Sequence, residues 1–177
     1  MSKAIKKVIF DIETANIFSD VGTSNDSTKL DISIVGAYDS ATDTYESYSI
    51  EELPKLWPII ERADLLIGYN SDHFDIPLLN KYYPGDLTKI KSLDLLVEIR
   101  NSLGRRLRLD SVAEATLGVN KSGHGLEAVQ WWKEGKGDLV RKYCLDDVRI
   151  TKDVYDYARK HKELKYKDFG DLKIIKL

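Results

Sequence analysis

The stretch Val8-Ile9-Phe10-Asp11-Ile12-Glu13-Thr14 constrains this chain most, because it reads as an apolar strand that carries two acids. Side chains two apart on a strand point to one face. Asp11 and Glu13 therefore face one way, and Phe10 and Ile12 the other. A carboxylate set between large apolar residues is costly to bury unless it is paired or binds a metal. An edge strand with two solvated acids is the simpler alternative, and the other acids of the chain bear on the choice.

A second site lies in Gly68-Tyr69-Asn70-Ser71-Asp72-His73-Phe74-Asp75-Ile76. Leu65 to Gly68 reads as a buried strand, Asn70 to Asp72 as loop, and a helix starts near Phe74. Asp75 falls in its first turn, where an acid also complements the helix dipole. The third site is Tyr143-Cys144-Leu145-Asp146-Asp147. Val140, Cys144, Val148, Thr151, Tyr155 and Ala158 recur at steps of three and four, the period of a core-facing helix. Tyr143 and Asp147 are four apart and share one face beside that stripe. Asp146, three after Tyr143, lies on nearly the same face, and helix geometry alone does not separate the two acids.

These three sites resemble the motifs of the DEDD exonuclease superfamily, whose fold is RNase H-like. Asp-x-Glu matches Asp11 and Glu13; Asn-x-x-x-Phe-Asp matches Asn70, Phe74 and Asp75; Tyr-x-x-x-Asp matches Tyr143 and Asp147. The tyrosine marks the DEDDy branch. The histidine branch needs His five residues before Asp147, where this chain has Lys142. The stretch from Gly68 to Leu79 is similar to the proofreading exonuclease domain of family B DNA polymerases. The rest is closer to small RNase H-like exonucleases that occur alone or joined to helicases. The resemblance runs from about Lys6 to His161.

What the resemblance implies is a 3′–5′ exonuclease that releases nucleoside 5′-monophosphates from single-stranded DNA or RNA. Two divalent cations, Mg²⁺ or Mn²⁺, would serve it, because a pair of hard ions about 3.5–4 Å apart activates water and stabilises the leaving oxygen. By the same resemblance Asp11 bridges both ions, Glu13 and Asp147 hold the one that activates water, and Asp75 holds the second. Tyr143 orients the water. Asn70 and Phe74 line the pocket for the terminal nucleotide, with a loop cap and a core aromatic as their plainer roles. A helicase or polymerase is the protein partner the resemblance suggests. Two other readings stand beside this one: a non-catalytic nucleic-acid-binding or assembly module, and a structure-selective endonuclease of the same fold.

A formal net charge of −2 does not announce a nucleic-acid binder. Local basic clusters do exist, at Arg105, Arg106 and Arg108 and from Arg159 to Lys167. Arg105 is the candidate phosphate contact in the first, with a solvated loop as the equal alternative. Asp94, in an apolar run, reads as structural at a strand–helix junction. His73 reads as a solvated loop residue, and His124 lies in a Gly-rich loop that would cover the site. The single cysteine, Cys144, excludes an internal disulfide and reads as core. Trp131 and Trp132 read as core filling. The N-terminus shows no long apolar stretch, so neither signal peptide nor membrane span is expected, and the cytoplasm is the expected compartment. Oligomeric state is not legible.

The predicted architecture is α/β: a mixed five-stranded sheet flanked by helices, in one domain over residues 1–177. Strands are expected at about Lys6–Glu13, Leu30–Tyr38, Thr44–Ile50, Leu65–Gly68 and Ile90–Leu93, the first three antiparallel and the later ones parallel. Helices are expected at Glu51–Ala63, Phe74–Tyr82, after the fifth strand through Arg100, Asp110–Leu117 with Asp110 as cap, Leu126–Lys133 and Gly137–His161. Asn16 to Thr28 reads as a long loop beside the site. The tail reads as a hairpin around Phe169-Gly170-Asp171.

Overall fold

Strand β1 (Lys7–Thr14) is the centre of a five-stranded sheet in the computed structural model, which describes residues 4–22, 25–119 and 125–177. On one side it pairs antiparallel with β2 (Ile32–Asp39), and β3 (Thr44–Tyr48) follows outward. On the other side lie the parallel strands β4 (Leu65–Gly68) and β5 (Ser92–Asp94), giving the order β3-β2-β1-β4-β5. This is the mixed sheet that the alternation of strand and helix signals predicts.

The alternation along β1 divides the core. Val8, Phe10 and Ile12 pack with Leu53, Leu56 and Ile60 of α1 (Leu53–Glu61) and with Ile76, Leu78 and Leu79 of α2 (Asp75–Asn80). Pro54 sits in the first turn of α1, where its missing N–H removes no helical hydrogen bond. Ile9 faces the opposite layer. There it joins Leu95 and Ile99 of α3 (Leu95–Leu103), Val112 and Ala113 of α4 (Leu109–Leu117), and Val148, Val154 and Tyr155 of α6 (Gly137–His161). Helix α5 (Gly125–Lys133) adds Ala128 to a smaller cluster with Ile34, Val140, Tyr143 and Cys144. Trp131 and Trp132 are partly buried against it.

The C-terminal segment forms a separate hairpin, β6 (Glu163–Asp168) and β7 (Asp171–Lys176), turning at Phe169 and Gly170. Leu164, Tyr166 and Ile175 bury its inner face against the α6 layer. Several boundaries shift by one to three residues from the sequence reading, and one shift changes a residue's role: Asp110 is not the cap of α4 but sits in its first turn, and the extended residue before the helix is Arg108. Buried Leu109 starts the helix one residue earlier because it belongs to the core. Among the described residues no helix is long and apolar enough to cross a membrane.

Candidate active site

Pairing of β1 with β4 stops at Ile9 and Ile67, while β1 runs on to Thr14. Beyond that point the β4 side of β1 has lost its ladder partner, and its N–H groups must find others. The Ile12 N–H donates to Asp75 Oδ1 at 3.1 Å. One hydrogen bond thus fixes the acid at the start of α2 to the backbone between Asp11 and Glu13. The site forms where β4 and β5 end and β1 runs past them, at the carboxyl edge where open α/β sheets gather their ligands.

From the opposite layer, α6 lies across β1 and β2. Asp11 is paired in register with Gly36 of β2. A Cβ on Gly36 would meet Cys144 Sγ at 3.0 Å and Val148 Cγ2 at 3.1 Å, so the absent side chain is what lets α6 approach the acids. Cys144 Sγ lies 3.4 Å from Asp11 O and 3.8 Å from Asp11 Oδ2. Ligand atoms of Asp11, Glu13 and Cys144 fall within 4.8 Å of one another. Tyr143 and Asp147 flank Cys144 on the same buried stripe, and the Tyr143 ring meets Trp131 edge-on at 6.0 Å between centroids. Glu13 is 7 % exposed, and Asp75 and Asp147 4 % each.

Burial pushes the Asp75 carboxyl well above the usual carboxylate range, and the charge of Asp11 pushes it further. Burial likewise raises the Cys144 thiol, reinforced by Asp11, Glu13 and Asp147. A cysteine held as the neutral thiol is a poor metal ligand, since the thiolate is the binding form. The remaining donors are carboxylate oxygens, the set that hard divalent cations prefer, and a cation would relieve the mutual repulsion recorded in Asp75. The carboxylates present therefore suit a hard divalent cation.

Beside the acids opens a cavity of about 770 Å³, lined among others by Glu13, Thr14, Phe18, Phe74, Arg108 and Leu126. Phe18 and Phe74 meet edge-on at 6.1 Å. Lys133 Nζ pairs with Asp20 Oδ2 at 3.2 Å, tying α5 to the short 3-10 turn Phe18–Val21, so two walls of the cavity are cross-linked. The structure thus brings Asp11, Glu13, Asp75, Tyr143 and Asp147 to one end of the sheet and sets Phe74 in the cavity beside them. Asn70 lies after β4 with a left-handed backbone, φ 64°, and its side-chain oxygen accepts from Arg106 at 2.7 Å. Arg105 is not part of this gathering. It pairs with Asp168 of the hairpin at 2.7 Å and lies over the Tyr166 ring.

Asp146 turns outward and pairs with Arg149 at 3.1 Å. Asp94 caps α3, accepting from the Leu96 N–H at 2.9 Å, as a junction residue should. His73 reaches Asn25, with 3.0 Å between Nε2 and Oδ1. His124 lies outside the described residues. Sequence reasoning overlooked Cys144 as a neighbour of the acids, although it stands one after Tyr143 and three before Asp147 on the same stripe. It also overlooked Phe18, whose signal was to be the one aromatic in the polar stretch Asn16 to Thr28.

The chain is similar to the family B DNA polymerase of the hyperthermophilic archaeon Pyrobaculum calidifontis, with a TM-score of 0.66 and 19% identity. That match covers 89% of this chain but only 25% of the polymerase, and at such identity it is a likeness of fold. No curated protein matches the chain. The model of the RNase H superfamily matches residues 8–159, a span that holds all of the central sheet but its first residue, and every acid gathered at its end. The chain belongs to the RNase H superfamily.

Proposed function

We propose that this protein is a metal-dependent nuclease, and specifically a 3′–5′ exonuclease acting on single-stranded DNA or RNA. The observation that carries the reading is the gathering of Asp11 and Glu13 within 4.8 Å of Cys144, with Asp75 tied to the Ile12 N–H and Asp147 buried on the helix that carries Cys144, beside a cavity lined by Phe18 and Phe74. The fold and family support a nuclease. The exonuclease reading adds the cavity, which has room for one terminal nucleotide.

In this reading Asp11, Glu13, Asp75 and Asp147 hold two divalent cations. When bound, those ions lower the pKa of water and neutralise charge on the phosphate and the leaving oxygen. The chain does the positioning. Phe74 and Phe18 pack against the terminal nucleoside and exclude water from one side. Tyr143 holds the attacking water by a hydrogen bond. The tie from Ile12 N–H to Asp75 keeps the acids of β1 and α2 in fixed relation, so little reorganisation is needed when the phosphate arrives. The water oxygen bonds to phosphorus as the bond between phosphorus and the 3′ oxygen breaks; the water gives up a proton to solvent, the 3′ oxygen takes one up, and a nucleoside 5′-monophosphate is released.

A 5′-labelled single-stranded oligonucleotide, as DNA and as RNA, tests this with Mg²⁺ or Mn²⁺. The expected result is a ladder shortening by one nucleotide from the 3′ end, absent with EDTA and with Asp11→Ala. A 3′-phosphate block separates the exonuclease from the endonuclease: internal cuts in the blocked strand would replace the first with the second. No cleavage of either polymer with either metal would turn the reading to a binding module.

A further inference from the structure

A second cleft, of about 410 Å³, lies on the other side of the segment that carries the substrate motif. His73 lines this cleft, whereas its neighbour Phe74 lines the nucleotide cavity. The two spaces therefore adjoin the same segment. Asn70, Arg100 and Arg106 complete its basic and amide wall. Arg106 donates to Asn70 Oδ1 at 2.7 Å, which leaves most of its guanidinium N–H groups to other acceptors.

The wall is built to hold its shape. The Asn70 N–H donates to Asp94 Oδ1 at 2.7 Å and the Asp72 N–H to Asp94 Oδ2 at 3.1 Å, so both acidic oxygens are engaged by backbone. Asp72, the other acid of the cleft, accepts from Ser92 Oγ at 2.7 Å. The loop that presents Arg106 is pinned on both sides. Arg105 pairs with Asp168 at 2.7 Å, and Tyr69 OH donates to the Leu107 carbonyl at 2.9 Å. Arg108, two residues on, lines the nucleotide cavity. One short loop thus offers a guanidinium to each of two adjoining spaces.

We propose that this cleft binds a phosphodiester of the substrate strand, upstream of the bond that is cut, with Arg106 as its main contact and Arg100 and His73 beside it. The proposal rests on the nuclease reading of the neighbouring site. Three physical points favour it. The planar donor fork of arginine matches phosphate oxygens. A chain of net charge −2, with several acids gathered at the site, repels a polyanion unless local cations compensate. Both oxygens of Asp94 and one of Asp72 are engaged by internal donors, and Arg106 keeps N–H groups for a further acceptor.

The test is binding of a fluorescent single-stranded dT oligonucleotide, followed by anisotropy across a range of salt in EDTA, where no turnover occurs. Each phosphate contact adds about 0.7 to the steepness of log K against log salt for a single strand. Arg106→Ala is expected to raise Kd several-fold and to lower the slope by about one such increment. Arg106→Lys is expected to keep the slope, because it keeps the charge. Arg100→Ala, an exposed change with little bearing on folding, is expected to lower the slope as well. Wild-type slopes in both alanine variants would overturn the proposal.

Hydrolysis of the p-nitrophenyl ester of thymidine 5′-phosphate, which fills only the terminal cavity, gives the second arm. Arg106→Ala is expected to raise KM for the oligonucleotide and leave KM for this ester unchanged. Equal damage to both substrates would place Arg106 behind Asn70 rather than on phosphate, and would sink the idea. If wild-type protein cuts neither substrate with either metal, the nuclease reading fails, and the salt slopes still decide on the phosphate site.

Discussion

Asp146 and Asp147 are adjacent in sequence and opposite in circumstance. Asp147 is buried on the Cys144 stripe, while Asp146 is engaged by Arg149 at the surface. We predict that Asp147→Asn abolishes cleavage of a single-stranded oligonucleotide and that Asp146→Asn leaves the rate within about twofold, since an exposed pair of this kind contributes little. The reverse pattern would exchange the two assignments. Steps of three and four from Tyr143 fall on neighbouring parts of one helix face, so the sequence narrowed the acid to two residues, and only the seating of the helix on the sheet separates them. The arginine cluster was less legible still. A loop has no period, and nothing in Arg105-Arg106 says which side chain the hairpin claims and which one reaches Asn70.

At the scale of elements, the decisive contact is α6 against β2 at Gly36. A Cβ there would lie 3.0 Å from Cys144 Sγ and 3.1 Å from Val148 Cγ2, distances that force a shift. Gly36→Ala is predicted to cost about 1–3 kcal/mol in urea denaturation, the range for overpacking a tight core. Because the shift falls on the helix that carries Tyr143 and Asp147, cleavage should fall more than stability does. Adding Cys144→Ala makes room and should restore part of both, a non-additive result expected only of residues in contact. Equal and additive losses would place the strain elsewhere. Elements with a strong period were legible to within a residue or two: α6 spans Gly137–His161 as its stripe indicates, and the hairpin turns where Phe169-Gly170-Asp171 places it. The 3-10 turns at Phe18–Val21 and Ser27–Lys29 were not, because a single Asx contact such as Thr28 N–H to Asp26 holds the latter and leaves no repeat to detect.

Over the whole molecule, folding and the site oppose each other. The sheet and its two apolar layers were readable from alternation and helical stripes, and so was the convergence of three distant segments on one end of the sheet. What remained hidden was the strain of that convergence, because the raised Asp75 carboxyl depends on Asp11 being brought close by the tertiary fold. Thermal melting makes the conflict measurable. In EDTA, Asp75→Asn is predicted to melt a few degrees above wild type, since it removes the charge and keeps an oxygen to accept the Ile12 N–H. With Mn²⁺ in about hundredfold excess over Kd the wild type should gain about 2.7 kcal/mol and the variant less, closing or reversing the gap. A variant that melts below wild type in EDTA would mean that the acids are not in conflict there.

The bond from Ile12 to Asp75 bears on how such a chain ages. Residue 75 serves the site in our reading and also ties α2 to the central strand. A descendant that abandoned cleavage would still be held there to Asp or Asn, the side chains that can reach the Ile12 amide with an oxygen. Retirement from catalysis would then leave a recognisable scar: an acid or its amide preserved at the second motif.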